Sequence, residues 1–198
     1  MNIFRLIVSI VLFNVSVSMC EASLIFNVYQ NGADVVATGS GTVNLKGLTP
    51  DGSGGGNGAV FASFGSFVNG SDTWMPINYY SGIAGPLNFG SGGVFYSSSG
   101  TGDRFGINRG ANDVIVPQGY VSGSALSGTG IWNNSTLNSL GLIAGTYTWT
   151  WGSGSNADFA TLTIGNNSVP EPDTSLLLLS GFAVSFGSTR LFGRKKSV

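Results

Sequence analysis

Few residues in this chain could do covalent chemistry. Histidine is absent from all 198 positions, which removes the commonest general base and the commonest metal ligand together. Ser-His-Asp and Cys-His catalysis are therefore excluded, and no Gly-x-Ser-x-Gly elbow occurs. Between residues 23 and 169 the acidic side chains are Asp34, Asp51, Asp72, Asp103, Asp113 and Asp158, without a glutamate. A carboxylate pair is enough for a glycosidase. Most of these aspartates, however, adjoin Gly, Asn or Ser, where a carboxylate accepts from backbone N–H groups in a turn. The expectation is a non-enzyme with no catalytic residue and no cofactor. Calcium on loop oxygens stays open: Asp51 with Asn57, or Asp103 with Asn108 and Asp113, could supply donors, although neither set follows EF-hand spacing.

Aromatic side chains offer a different chemistry, stacking on sugar rings. Trp74, Tyr79, Tyr80 and Trp132 are the candidate glycan contacts, with Tyr147, Trp149 and Trp151 as a further face. The alternative use of each is the protein's own core. Asn69, Asn134 and Asn166 stand in Asn-x-Ser/Thr sequences, which are glycan acceptors in some secreted proteins.

These side chains must be carried by strands. The chain holds 32 Gly, 13 Phe, 6 Tyr and 4 Trp, a mixture suited to short strands joined by glycine turns rather than to collagen or a disordered linker. Segments rich in β-branched and aromatic residues fall at 24–30, 34–38, 42–45, 60–67, 73–79, 94–97 and 114–116, separated by Gly, Asn, Asp and Pro. No stretch there keeps a helical period over three turns. At the end of the region, 146–151 alternates threonine with aromatic residues and 160–164 alternates apolar residues with threonine. This predicts a β-hairpin with a loop of six to eight residues, Tyr147, Trp149 and Trp151 on one face and Thr146, Thr148 and Thr150 on the other. Leu140 to Tyr147 suits a tyrosine corner, in which the phenol bonds back to upstream backbone, or a tyrosine simply packed in the core. The glycine-rich run 49–58 is expected as a surface loop, and it lacks the Gly-Lys-Ser/Thr of a nucleotide-binding loop. The fold class is all-β, a β-sandwich of Greek-key or jelly-roll type.

Charge is sparse and unevenly placed. Lys46, Arg104 and Arg109 face six aspartates between 23 and 169, a formal charge of 3 − 6 = −3, so nucleic acid is not an expected partner. The N-terminus has an early Arg5, an apolar run from Leu6 to Phe13 and small residues up to Ala22. That order is a secretory signal peptide over 1–22. A lipoprotein signal would lipidate Cys20, but Met19 stands where a small residue is required. Cleavage after Ala22 removes the only cysteine, so no disulfide is expected to hold the domain at 23–168 together.

The C-terminus carries Val169-Pro-Glu-Pro172, an apolar run and the basic residues Arg190, Arg194, Lys195 and Lys196. With Arg190 snorkelling, 174–193 is long enough for a transmembrane helix, and the basic tail at 194–198 orients the β domain outward. This three-part ending resembles the PEP-CTERM sorting signal of exported bacterial proteins. The Gly-Thr-Tyr-Thr-Trp-Thr-Trp-Gly stretch at 145–152 is also similar to one found in many uncharacterised members. The resemblance implies that Pro170, Glu171 and Pro172 are read by an exosortase, for which the chain is the substrate, in a Gram-negative bacterium that makes exopolysaccharide. It also implies export through the Sec pathway, transient anchoring in the inner membrane and delivery to the cell surface or extracellular matrix. The function expected on that basis is a structural or interaction component of a biofilm matrix. The alternative is a carbohydrate-binding module or adhesin contacting polysaccharide through its aromatics.

Overall fold

The computed structural model describes residues 23–70 and 72–165; the expected signal peptide, the Pro170–Pro172 motif, the apolar run expected to span a membrane and the basic tail lie outside them. The described chain is all-β. Its strands are β1 (Ser23–Asn31), β2 (Asp34–Gly41), β3 (Thr49–Gly56), β4 (Ala59–Phe61), β5 (Ser66–Asn69), β6 (Met75–Ser81), β7 (Val94–Tyr96), β8 (Ser99–Gly102), β9 (Phe105–Asn108), β10 (Asp113–Pro117), β11 (Leu126–Trp132), β12 (Gly145–Trp151) and β13 (Asp158–Gly165). They form two sheets, one in the order β12-β13-β1-β2-β11-β8 and the other in the order β3-β6-β10-β9-β5-β4-β7. Neighbours run antiparallel except β1 and β13, which pair in parallel from Ser23 opposite Phe159 to Tyr29 opposite Gly165.

One core lies between the sheets. Alternation along β1, β2 and β13 buries Leu24, Phe26, Val28, Val35, Ala37, Ala160, Leu162 and Ile164 from the six-stranded sheet. The seven-stranded sheet contributes Val60, Phe67, Phe105, Ile107, Val114 and Val116. Phe26 is the pivot: its ring meets Phe67 edge-on at 5.1 Å between centroids and Phe105 at 5.3 Å. The approach is close because Gly39 lies beside Phe26 on the same inner face. A Cβ on Gly39 would come within 2.6 Å of the Asn69 amide nitrogen and 2.7 Å of the Phe26 ring. Asn69, fully buried on β5, uses the space to donate to the Gly128 carbonyl at 2.7 Å and so bonds one sheet to the other.

The hairpin expected at the end of the domain is present as β12 and β13, with six residues between Trp151 and Asp158. Trp149 and Trp151 are buried, Tyr147 packs partly against the core, and Thr146, Thr148 and Thr150 are exposed. The Tyr147 hydroxyl donates to the Ile143 carbonyl at 3.0 Å, the upstream bond of a tyrosine corner. Each buried indole also satisfies its N–H: Trp149 donates to Pro86, Trp151 to Asn44 and Trp132 to Phe95.

Three local expectations are corrected. The run at 49–58 is an edge strand, β3, because its backbone pairs with β6 from Thr49 to Gly56. Residues 42–45 make no strand; Val43 is buried, with its N–H donated to the Tyr120 hydroxyl, and the chain then enters a 3-10 turn at Leu45–Gly47. The single strand expected at 60–67 is two, β4 and β5, folded back by a 3-10 turn at Ala62–Phe64 that ends at Gly65 with φ 58°. Strands β8, β9 and β11 were not anticipated, since the Gly and Ser content of the Ser99–Gly102 and Leu126–Trp132 segments reads as turn.

Gly39→Ala should lower the unfolding free energy by roughly 1–3 kcal/mol through overpacking. Gly56→Ala, where a Cβ would meet nothing within 4 Å, should stay within about 1 kcal/mol of the parent. Urea denaturation of both variants checks the difference.

Candidate functional site

The structure separates the four candidate aromatics. Trp132 is 3% exposed and belongs to the core, so it is corrected from surface contact to packing residue. Tyr80 is half-buried against the same core. Trp74 is 63% exposed, and Tyr79 is half-buried on β6. These last two share the glycine strand β3. A Cβ on Gly54 would meet the Tyr79 ring at 3.1 Å, and a Cβ on Gly55 would fall onto the Trp74 indole at 2.1 Å. Successive strand residues point to opposite faces, so the two rings clasp β3 from its two sides. The glycines are where the aromatics sit, and the indole's other face is open.

Arg104 holds this arrangement in place. It is fully buried and donates to the Gly56 carbonyl at 2.8 Å and the Thr73 carbonyl at 2.7 Å. These carbonyls belong to the residues adjoining Gly55 and Trp74, so one guanidinium fixes both partners of the contact. Burial lowers the Arg104 pKa, and the charge of Asp72 opposes that shift.

The outer face of the six-stranded sheet is a polar surface. Register aligns Thr146, Thr163, Asn27, Thr38, Thr129 and Thr101 in one row that crosses every strand. A second row runs Thr148, Thr161, Ile25, Ser40 and Ser127. At a strand spacing of about 4.8 Å the first row spans roughly 24 Å. It carries no charge. Thr101 and Thr129 bond through their hydroxyls at 2.9 Å. Near Gly102 and Gly128 the face dips into a shallow depression of about 330 Å³, lined by Asn27, Thr38, Thr101, Ser127 and Thr129 among others. The alternation at 146–151 announced its first strand; the row itself depends on pairing between residues distant in sequence.

Three of the six aspartates accept from backbone N–H groups, chiefly at long range rather than in the local turns expected. Asp34 accepts from the Asn134 N–H at 2.8 Å and Asp103 from Ser127 at 3.0 Å. Asp158 accepts from Asn44 and from its neighbour Phe159, both at 2.7 Å. Burial pushes the Asp158 carboxyl up to about 6, against the pull of those two N–H groups. Neither calcium grouping assembles as the sequence suggested. Asn108 does stand opposite Asp113 in the sheet, but Asp103 is engaged elsewhere, and Asp113 is coupled to Asp51. Burial first, then the charge of Asp51 and a side-chain hydrogen bond with it, raise Asp113 to about 6. Among the described residues no group of three or more His, Cys, Asp or Glu side chains comes together in a way that could hold a metal. Asn69 is wholly buried, which excludes it as a glycan acceptor in the folded domain.

Arg104→Met should cost roughly 2–4 kcal/mol, since two carbonyls lose charged donors. It should also increase quenching of Trp74 fluorescence by iodide. For Asp158 and Asp113, a folded pKa above the unfolded one means that the native state holds the proton more tightly. Stability is then lost as pH rises from about 4 through 6. In divalent-free buffer the melting temperature should be higher at about pH 5 than at about pH 7.5; a steady fall on acidification over that window would contradict the assignment.

Among the described residues no helix is long and apolar enough to cross a membrane. No family model, curated protein or solved structure matches this chain.

Proposed function

We propose that this chain is a non-enzymatic exported protein whose β domain acts as a structural or interaction component of the cell surface or polysaccharide matrix. The observation that carries this reading is the uncharged hydroxyl and amide face that crosses all six strands of one sheet. Such a face offers paired donors and acceptors over a broad, shallow area, which complements the hydroxyls of a neutral polysaccharide and gives no purchase to a polyanion. Asp34, Asp103 and Asp158 serve as backbone acceptors, and Asp51 and Asp113 are within hydrogen-bonding range of each other, closer than the roughly 5–9.5 Å that a glycosidase pair needs, in keeping with a protein that binds rather than cleaves. The Val169-Pro-Glu-Pro172 motif with its apolar span and Arg190, Arg194, Lys195 and Lys196 supports delivery by an exosortase after Sec export and transient retention in the inner membrane.

Trp74 favours a second reading, a carbohydrate-binding module, because its indole is braced on Gly55 and open on the other side.

Alanines at Pro170, Glu171 and Pro172 should abolish delivery to the surface while the domain still folds. A Thr38→Glu, Thr129→Glu variant with the motif intact should be delivered normally yet lose retention in the matrix, measured by fractionation of the native host. Glycan-array binding that disappears in Trp74→Ala but survives the threonine changes would shift the assignment to the second reading. Retention unaffected by either set of changes would defeat both.

A further inference from the structure

We propose that Asp51 and Asp113 form a divalent-cation site on the outer face of the seven-stranded sheet, filled by calcium. The site is made by a bulge. Strand β3 follows β6 in register except between Pro50 and Gly52, so Asp51 is the extra residue, released from the ladder at the sheet's edge. Across the sheet, Thr49 stands opposite Ser81 and Ser81 opposite Asp113. Asp51 reaches over this row to hydrogen-bonding range of the Asp113 carboxyl. In that register Ser81 stands between Thr49 and Asp113, and its hydroxyl donates to the Thr49 carbonyl oxygen at 3.5 Å.

Two features of Asp113 point to a ligand. It is only 3% exposed, and its Oδ1 is buried without a hydrogen-bond partner. A buried carboxylate oxygen ordinarily accepts at least one donor, and leaving one bare is costly. The charge that acts on Asp113 is that of a second carboxylate. Two carboxylates in contact cannot both be ionised without a proton or a cation between them. A divalent cation answers both needs: it occupies the bare oxygen and cancels the repulsion. The donors are all oxygen, from Asp51, Asp113 and Ser81, with water completing the shell. That set suits a hard cation that accepts six to eight oxygens and irregular geometry, which is calcium rather than zinc or copper. The binding would pin the bulged end of β3, the strand whose other end carries the Trp74 contact.

The test uses the full-length chain in detergent, stripped with EDTA and titrated with CaCl2 at about pH 7.5 by calorimetry and thermal melting. One calcium per chain is expected, with Kd of about 10⁻⁴–10⁻³ M, as in extracellular modules, together with a rise in melting temperature. Asp51→Asn, an exposed substitution that leaves the core untouched, should weaken binding at least tenfold, and Asp113→Asn should abolish it. If Asp113→Asn fails to fold, Asp51→Asn alone decides. No heat and no thermal shift at about 10 mM calcium, or an undiminished response in Asp51→Asn, would overturn the site.

Discussion

The fold depends on how closely the two sheets can approach at Phe26. With no cysteine between residues 23 and 198, no disulfide within the β domain can hold the layers, and shape complementarity must do so. Phe26 presses against Phe67 and Phe105 because Gly39 beside it presents no side chain. The same absence lets Asn69 span the gap to the Gly128 carbonyl. Phe26 and Gly39 sit side by side in one layer, and the space above Gly39 receives Asn69 from the other, which is how interdigitated cores reach native density. Part of the high glycine content is therefore packing chemistry rather than looseness.

The outer surfaces follow from this inner arrangement. Once Leu24, Phe26 and Val28 are committed to the core, Ile25 and Asn27 must face outward, and register carries the same alternation across β2, β11, β12 and β13. The result is a broad neutral lattice of hydroxyls. The opposite sheet exposes a different chemistry. Half of its edge strand β3 is glycine, and Tyr79 and Trp74 supply from β6 and the residue preceding it the cover that the glycines lack. Buried Arg104 secures that cover. One protein thus presents a hydroxyl face, a braced indole and an acidic pair at a bulge.

Much of the architecture was legible where a local pattern has one physical meaning. Period-two alternation at 146–151 and 160–164 implies a half-buried hairpin, and the glycine turn before Tyr147 offered a tyrosine corner as one of two readings, which the hydroxyl bond to Ile143 selects. Legibility failed where glycine was read as punctuation. Thr49–Gly56, Ser99–Gly102 and Leu126–Trp132 are strands by virtue of their partners' backbones, and pairing with a distant strand leaves no trace in local composition. Trp132 illustrates the same limit: a lone tryptophan among glycines has no periodicity to tell surface from core, and burial against Phe67 decided it.

By itself, the sequence determined the all-β class, the absence of histidine chemistry and of a disulfide in the domain, and the solvent-facing threonines of β12, since these rest on residue identity and short-range alternation. Tertiary structure alone decided that six strands would align their Thr and Asn side chains in one row, that Arg104 would brace Trp74, and that Asp51 would meet Asp113 rather than Asn57. Each of these joins residues dozens of positions apart or on strands whose adjacency is set by the core. The information lies in the packing of Phe26, Phe67 and Phe105, because only the core fixes which strands become neighbours and in what register.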